Sequence, residues 1–369
     1  MTTVVFTGGG TGGHIYPGLA IADELKKIAG KETIKIVWIG SKKPLDKNIV
    51  SQSDSVDIFK GIPSGKLRRY FSLQNFLDVF KIFFGFVSAF FLLLRYKPVF
   101  IFSKGGFVSV PPCIAAKLLK IPVYTHECDF SPGLATRINA RFAKNILVSF
   151  PETKERFSVD MQKKVIITGN PVRPVFHTAS KQKGLQFLGL EKLEKPLLLV
   201  VGGSLGARQI NTLVLENIDW LCEHFVVLHQ TGKNQIEEQL IHKDYYPMEF
   251  IYNEMPDVMD LADVVLSRAG SNFLWECVTL EKPMVLIPLS GSGTRGDQVE
   301  NAHWFEEKNA AKVLMGTDIT KEDFKKALEL LLKEENRQNL RDALREIHES
   351  NENSELKIAQ FLFREIEHK

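Results

Sequence analysis

Near the start of the chain, Gly8-Gly9-Gly10-Thr11-Gly12-Gly13-His14 sets an imidazole at the end of a glycine-rich bend. The bend follows a β-rich run, Val4–Thr7, and precedes helical spacing over Pro17–Ala29. Glycines let the backbone turn sharply there and bring bare N–H groups to an anion at a helix N-terminus. Gly8, Gly10 and Gly13 also fit the dinucleotide pattern GxGxxG. A nicotinamide site wants an acidic residue ending the second strand, whereas Val37-Trp38-Ile39 runs into Gly40-Ser41. A Walker A loop fails outright, because no Gly-Lys-Ser/Thr follows. A second bend, Gly202-Gly203-Ser204-Leu205-Gly206-Ala207, follows Leu197–Val201, and its serine hydroxyl beside exposed amides suits a diphosphate. The alternative for either bend is a tight strand-to-helix turn that binds nothing.

Two later segments could complete a nucleotide-sugar site. In Ser267-Arg268-Ala269-Gly270-Ser271-Asn272-Phe273-Leu274-Trp275-Glu276, Gly270-Ser271 can open a helix that carries Glu276 about a turn and a half inside. A carboxylate there can accept from both ribose hydroxyls; a solvated surface glutamate is the plainer reading. Ser290–Gln298 is a glycine-rich loop, and the Gln298 amide offers a donor and an acceptor to vicinal sugar hydroxyls.

The elements that must position these residues alternate in type. Ile34–Ile39, Val99–Phe102, Val123–His126 and Ile146–Ser149 read as further strands of the first half. Leu197–Val201, Phe225–His229, Phe250–Tyr252, Val264–Ser267 and Met284–Ile287 read as strands of the second. Strands alternating with helices imply crossovers and parallel sheets, hence two α/β lobes with a cleft between them. The 369 residues suit two domains of about 150 each, with a break near Gly169-Asn170-Pro171-Val172-Arg173-Pro174. Thr320 can cap a helix reaching about Ser350, and Ser354 a last one with Leu356, Ala359, Leu362, Phe363 and Ile366 on one face. Cys113, Cys128, Cys222 and Cys277 are scattered without metal-ligand spacing, which excludes a zinc ribbon and points to a reducing compartment. With a strand-like run so early, no signal peptide is expected. Net charge is +3, but residues 1–150 carry 20 Lys and Arg against 9 Asp and Glu, so this half has an excess of +11 and the rest −8. That asymmetry suits an N-terminal half facing something anionic; a scattered, solvated basic surface explains it equally.

Taken in order, the GGGTGGH bend, Ser103-Lys104-Gly105-Gly106-Phe107-Val108-Ser109, His126-Glu127, Gly169–Arg173, Gly202–Ala207, Arg268–Glu276 and Gly296-Asp297-Gln298 resemble the MurG family over nearly the whole chain. The resemblance implies a GT-B fold, two Rossmann-like domains with parallel sheets facing a deep cleft. The first would span 1–168 and regain the C-terminal helix 354–369; the second would span 169–353. It implies transfer, with inversion, of N-acetylglucosamine from UDP-N-acetylglucosamine to the 4-hydroxyl of an undecaprenyl-pyrophosphoryl-muramoyl-pentapeptide, with no cofactor. The donor diphosphate would meet Ser204, Arg173 and the Thr11, Gly12 and Gly13 bend. Ser271, Asn272 and Glu276 would hold the nucleotide, with Glu276 on the ribose, Gln298 on the sugar and the backbone near Tyr252 facing the uracil. Gly105, Gly106 and Asp129 would contact the acceptor. The family often has tyrosine at Phe107 and a Gln-Asn pair at Cys128-Asp129, which weakens the role of Asp129. For the base, the candidates are His14 and Glu127; the first could merely order its bend, the second pack a strand end. No DxD metal element is present, so metal-free chemistry is expected, and no nucleic-acid partner.

Val79–Leu94 is apolar over about 16 residues, short of the roughly 20 that cross a bilayer. Such a helix should be buried in protein or lipid. We expect it to pack on the first lobe and expose phenylalanines (Phe83, Phe84, Phe86, Phe90, Phe91) to the cytoplasmic membrane face, with Arg68 and Arg69 attracting anionic lipid. Two rivals share parts of this pattern: a UDP-N-acetylglucosamine 2-epimerase, and a nucleotide-binding membrane adaptor without catalysis.

Overall fold

The structure, a computed structural model, describes residues 1–65, 73–203, 206–235, 242–291 and 294–367, with the side chains of 73–77 excepted. Ser204, Arg68 and Arg69 lie outside the described residues. The chain divides into two compact units, Met1–Arg173 with Asn353–Lys369, and Pro174–Glu352. Residues 169–173 group with the first unit. His126 Nε2 meets the Gly169 carbonyl at 3.0 Å, Ser149 Oγ donates to Asn170 Oδ1 at 3.2 Å, and Val172 N–H donates to Glu355 at 3.3 Å.

The first unit holds strands β1 (Thr2–Thr7), β2 (Ile34–Ser41), β3 (Ile58–Ile62), β4 (Ile101–Ser103), β5 (Val123–Glu127), β6 (Asn145–Val148) and β7 (Val165–Ile167). They form one parallel sheet in the order β3-β2-β1-β4-β5-β6-β7. Period-two alternation sends its side chains to two faces. Val4 and Phe6 of β1 pack with helix Tyr16–Ala29 and with Ile358, Ala359 and Leu362 of the C-terminal helix Ser354–Glu367. Val5 packs the other way, onto Ala89 and Leu93 of helix Leu73–Tyr96 and Cys113, Ala115 and Ala116 of helix Val110–Leu118. Each large apolar side chain so covered contributes about 1.5–3 kcal/mol. None of the four cysteines is bridged, all are buried, and burial pushes the Cys113 thiol up to about 12.

Helix Leu73–Tyr96 is two-faced. Phe86 and Phe90 pack against the core, contrary to the expectation that they face a membrane. Phe83, Phe84 and Phe91 are exposed, with Val79, Phe80 and Leu94 beside them. The sequence run looked apolar all round because both faces are, one for protein and one for its surroundings.

The second unit holds β8 (Leu197–Val201), β9 (Val226–Gln230), β10 (Tyr245–Met248), β11 (Val264–Ser267), β12 (Met284–Leu286) and β13 (Ala311–Val313), all parallel in the order β10-β9-β8-β11-β12-β13. Its core joins Leu198 and Val200 to Ile210, Leu266, Val285 and Phe324. Phe250–Tyr252 is no strand: Ile251 N–H donates to the Gln230 side chain at 2.9 Å instead of to a neighbouring backbone. Thr320 does cap a helix, accepting from Asp323 N–H at 3.1 Å, but that helix ends at Leu330 and a second spans Glu334–Asn351. Arg337 Nη1 caps the break by donating to the carbonyls of Leu331 (2.6 Å) and Leu332 (3.0 Å).

Candidate active site

In each unit the strand order reverses once, between β1 and β4 and between β8 and β11. Parallel sheets open a crevice outside the carboxyl ends of the strands at such a reversal. In the second unit β8 runs there into Gly202-Gly203, and β11 into Arg268. A cavity of about 440 Å³ lies at this point, lined by Gly202, Gly203, Gly206, Arg208, Arg268 and Gln298, with Phe273 and Leu289 at its apolar wall. Gly206 has φ +76°, and a Cβ there would stand 2.3 Å from the Thr231 carbonyl oxygen, so only glycine brings the bend this close to the end of β9.

Below the bend lies a buried polar chain. Gln230 Nε2 donates to the Gly203 carbonyl at 3.3 Å. Asn211 Nδ2 donates to the Thr231 carbonyl at 2.8 Å and to Gln235 Oε1 at 2.7 Å. With its amide nitrogen so engaged, Asn211 Oδ1 accepts from His229 Nε2 at 3.1 Å, and Tyr245 O–H then donates to His229 Nδ1 at 3.0 Å. This imidazole is therefore neutral, and burial pushes its pKa down to about 4.

Arg268 is half-buried, and burial lowers its pKa. Its Nη1 donates to Gln209 Oε1 at 3.0 Å and to the Ile287 carbonyl at 2.9 Å, which fixes the guanidinium in the cavity wall. Gln298 lines the cavity, and its Oε1 accepts from Leu289 N–H at 2.8 Å, holding the loop at the mouth. Ser271 is the buried first residue of helix Ser271–Thr279, which also carries Asn272 and Glu276. Tyr252 is exposed, its ring 4.6 Å from that of Phe250.

In the first unit the reversal gathers His14, Gly105 and Gly106. Trp38 Nε1 donates to the Gly8 carbonyl at 3.1 Å, and the buried Asp46 accepts from Gly10 N–H (3.0 Å) and Ser41 N–H (2.8 Å). These bonds fix the bend from which the turn Gly12–His14 rises, with Thr11 exposed ahead of it. Gly106 has φ +74°, and a Cβ there would stand 2.8 Å from the His14 ring. His14 Nδ1 lies 3.3 Å from the Lys104 carbonyl, which can only accept. A hydrogen bond to that carbonyl requires the proton on Nδ1.

Glu127 is buried, and its carboxylate accepts from three amides: Cys128 (3.0 Å), Asp129 (3.1 Å) and Gly133 (2.9 Å). Glu127, Cys128 and Asp129 offer ligand atoms within 4.8 Å of one another, but Glu127 is committed to the turn, which makes it a poor metal ligand. His126 is buried and its pKa lies well below normal, by burial first and by the Lys104 charge second, with the Gly169 carbonyl opposing. The Arg173 guanidinium stacks 5.3 Å from the Tyr16 ring centre, in the first unit. The sequence reading assigned no role to Arg268, Gln230 or Asp46. The signal for Arg268 was a cation directly after the strand that faces a glycine bend.

Comparison with known proteins decides the family. Residues 4–148 match the glycosyltransferase family 28 N-terminal domain and 197–360 its C-terminal domain. A Treponema denticola protein is 53% identical over 91% of this chain and 90% of its own length. It is named UDP-N-acetylglucosamine–N-acetylmuramyl-(pentapeptide) pyrophosphoryl-undecaprenol N-acetylglucosamine transferase. The chain belongs to the MurG group of glycosyltransferase family 28. A Bacillus cereus member bearing the same name with the suffix 2 is 42% identical over 90% of this chain and 92% of its own. The crystal structure of Acinetobacter baumannii MurG matches with a TM-score of 0.74 at 22% identity, over 99% of this chain and 100% of that one, and shows the GT-B-like fold. The structure of a Neisseria meningitidis UDP-GlcNAc 2-epimerase shares the fold at 16% identity, with a TM-score of 0.68 and coverage of 100% of both chains. Fold alone therefore does not separate this MurG-group chain from the epimerase reading.

Proposed function

We propose that this enzyme moves N-acetylglucosamine from UDP-N-acetylglucosamine to the muramoyl 4-hydroxyl of an undecaprenyl-pyrophosphoryl-muramoyl-pentapeptide, on the cytoplasmic face of the membrane. The observation that carries this reading is the cavity at the β8/β11 reversal of a family 28 chain, walled by a glycine bend and Arg268. A diphosphate seated there meets backbone amides and a fixed guanidinium, which stabilise the charge that grows as UDP leaves. Ser204, in the same glycine bend, adds to that grip. Ser271 and Asn272 hold the nucleotide at a helix N-terminus, Glu276 takes the ribose hydroxyls, Gln298 the sugar, and the backbone at Tyr252 the uracil. Gly105, Gly106 and Asp129 position the acceptor. His14 Nε2 takes the 4-hydroxyl proton as that oxygen attacks C1, and one displacement inverts the anomeric centre. Glu127 serves this step by holding the 127–133 turn, its oxygens being engaged by amides.

The test is transfer of radiolabel to a synthetic lipid-linked muramoyl-pentapeptide. Label from UDP-N-acetylglucosamine should enter lipid, and label from UDP-glucose should not. A 2-epimer released without acceptor would sink this reading in favour of the epimerase.

Membrane attachment rests on helix Leu73–Tyr96, whose outer face shows Phe83, Phe84 and Phe91 at 57–64% exposure, with Arg95 and Lys97 at its end. Its stretch Asp78–Tyr96, 19 residues, is long and apolar enough to cross a bilayer, yet its inner face is filled by Ala89 and Leu93. A helix with one face so occupied lies on a membrane rather than through it, and basic neighbours add about 1 kcal/mol each at an anionic surface. Replacing Phe83, Phe84 and Phe91 together by serine should cut sedimentation with phosphatidylglycerol vesicles at least about tenfold. Unchanged sedimentation would place the membrane contact elsewhere.

A further inference from the structure

Asp46, in the short helix Pro44–Val50, is fully buried, and among the described residues its carboxylate meets only backbone amides. Both oxygens accept from Gly10 N–H, at 3.0 and 3.2 Å, and Oδ2 also accepts from Ser41 N–H at 2.8 Å. A carboxylate taken out of water is costly unless its surroundings replace the lost hydration, which amides bonded to a charged oxygen do. The bend is shaped around this group. A Cβ on Gly9 would stand 2.0 Å from Asp46 Oδ2, and one on Gly10, at φ +87°, would stand 2.6 Å from the Phe107 ring. A glycine bend with an anion among its amides is the arrangement by which backbone binds phosphate. Here the anion belongs to the chain itself.

The second unit supplies the contrast. There the strand beside the bend, β9, ends in Gln230, a neutral amide that donates to the Gly203 carbonyl, and the bend opens on the cavity it shares with Arg268. In the first unit β2 holds that place beside β1 and leads to Asp46 instead. We propose that Asp46 is a positioning residue for the transfer: its carboxylate supplies from within the anion that shapes the first bend, and so sets where His14 stands. This rests on the reading of His14 as the base. The bend is gripped at Gly8 by Trp38 and at Gly10 by Asp46, so only Thr11, Gly12 and Gly13 lie between the second grip and His14. His14 N–H donates to the Thr11 carbonyl at 3.2 Å, which closes that span into a turn. Letting go of Gly10 therefore moves the imidazole, and a misplacement of about 1 Å can cost a reaction about 100-fold.

The test is a double-variant cycle on kcat, with donor and acceptor saturating. Asp46→Ala should lower kcat about 10- to 100-fold, while UDP affinity, read by calorimetry, stays within about twofold because the second unit holds the donor. In a His14→Ala background the same change should cost less than about twofold, since the base it positions is already gone. Formate, a free carboxylate small enough for the vacated space, should raise the kcat of Asp46→Ala severalfold and leave His14→Ala unmoved. Asp46→Asn turns its amide N–H2 toward a backbone N–H, so its kcat should fall between Asp46→Ala and the wild type. Should Asp46→Ala not fold, Asp46→Asn carries the same cycle. A merely structural carboxylate would give losses that multiply in the double variant. That result, wild-type kcat in both Asp46 variants, or an Asp46→Ala enzyme indifferent to formate overturns the proposal. His14→Ala alone at wild-type kcat would instead refute the base reading.

Discussion

Replacing His14 by alanine is expected to lower kcat by about 10²- to 10⁴-fold, the usual contribution of a positioned general base. UDP affinity should stay within a few-fold, because the second unit holds the donor. The expectation follows from how the ring is held: the Lys104 carbonyl accepts from Nδ1, and a Cβ at 106 would stand 2.8 Å from the ring, so glycine there leaves it room. Steady-state rates and calorimetry with UDP check both halves. A variant retaining a tenth of kcat would mean that the proton goes to another group.

Arg268→Met is expected to weaken UDP binding about 10- to 100-fold, the loss of one or two charge-assisted bonds to phosphate. Uridine, lacking phosphate, should bind within twofold of the wild type. Arg268→Lys should recover little, since one ammonium cannot hold Gln209, the Ile287 carbonyl and a phosphate together. Calorimetric titration with UDP and uridine separates the cases. Equal weakening of both ligands would make Arg268 a brace for the bend rather than a phosphate ligand.

The parts of the fold with strong local signals were readable from the sequence. β1, β8 and β11 are apolar runs that lead into the bends or Arg268, and Ser354–Glu367 keeps a helical stripe. What escaped lies mostly at sheet margins. β7 and β13 have three residues each, too few to show a period, and β3 contains Lys60 and Gly61. All three are edge strands, where selection for apolar alternation is weakest. β10 shows no strand signal because Pro247 interrupts it, and an edge strand tolerates a proline. In the site, glycine bends announce themselves by composition. Asp46 and Gln230 act through burial and distant backbone partners, which only the folded chain brings together.

The return of Ser354–Glu367 to the first unit governs how the protein is made. Helix Tyr16–Ala29 finishes its packing only when a segment more than 300 residues downstream arrives. During synthesis the early sheet must therefore wait with one apolar face partly bare, while Pro174–Glu352 emerges and can collapse independently. Such distant closure slows folding and leaves the nascent chain exposed to aggregation, so chaperone demand should centre on the N-terminal half.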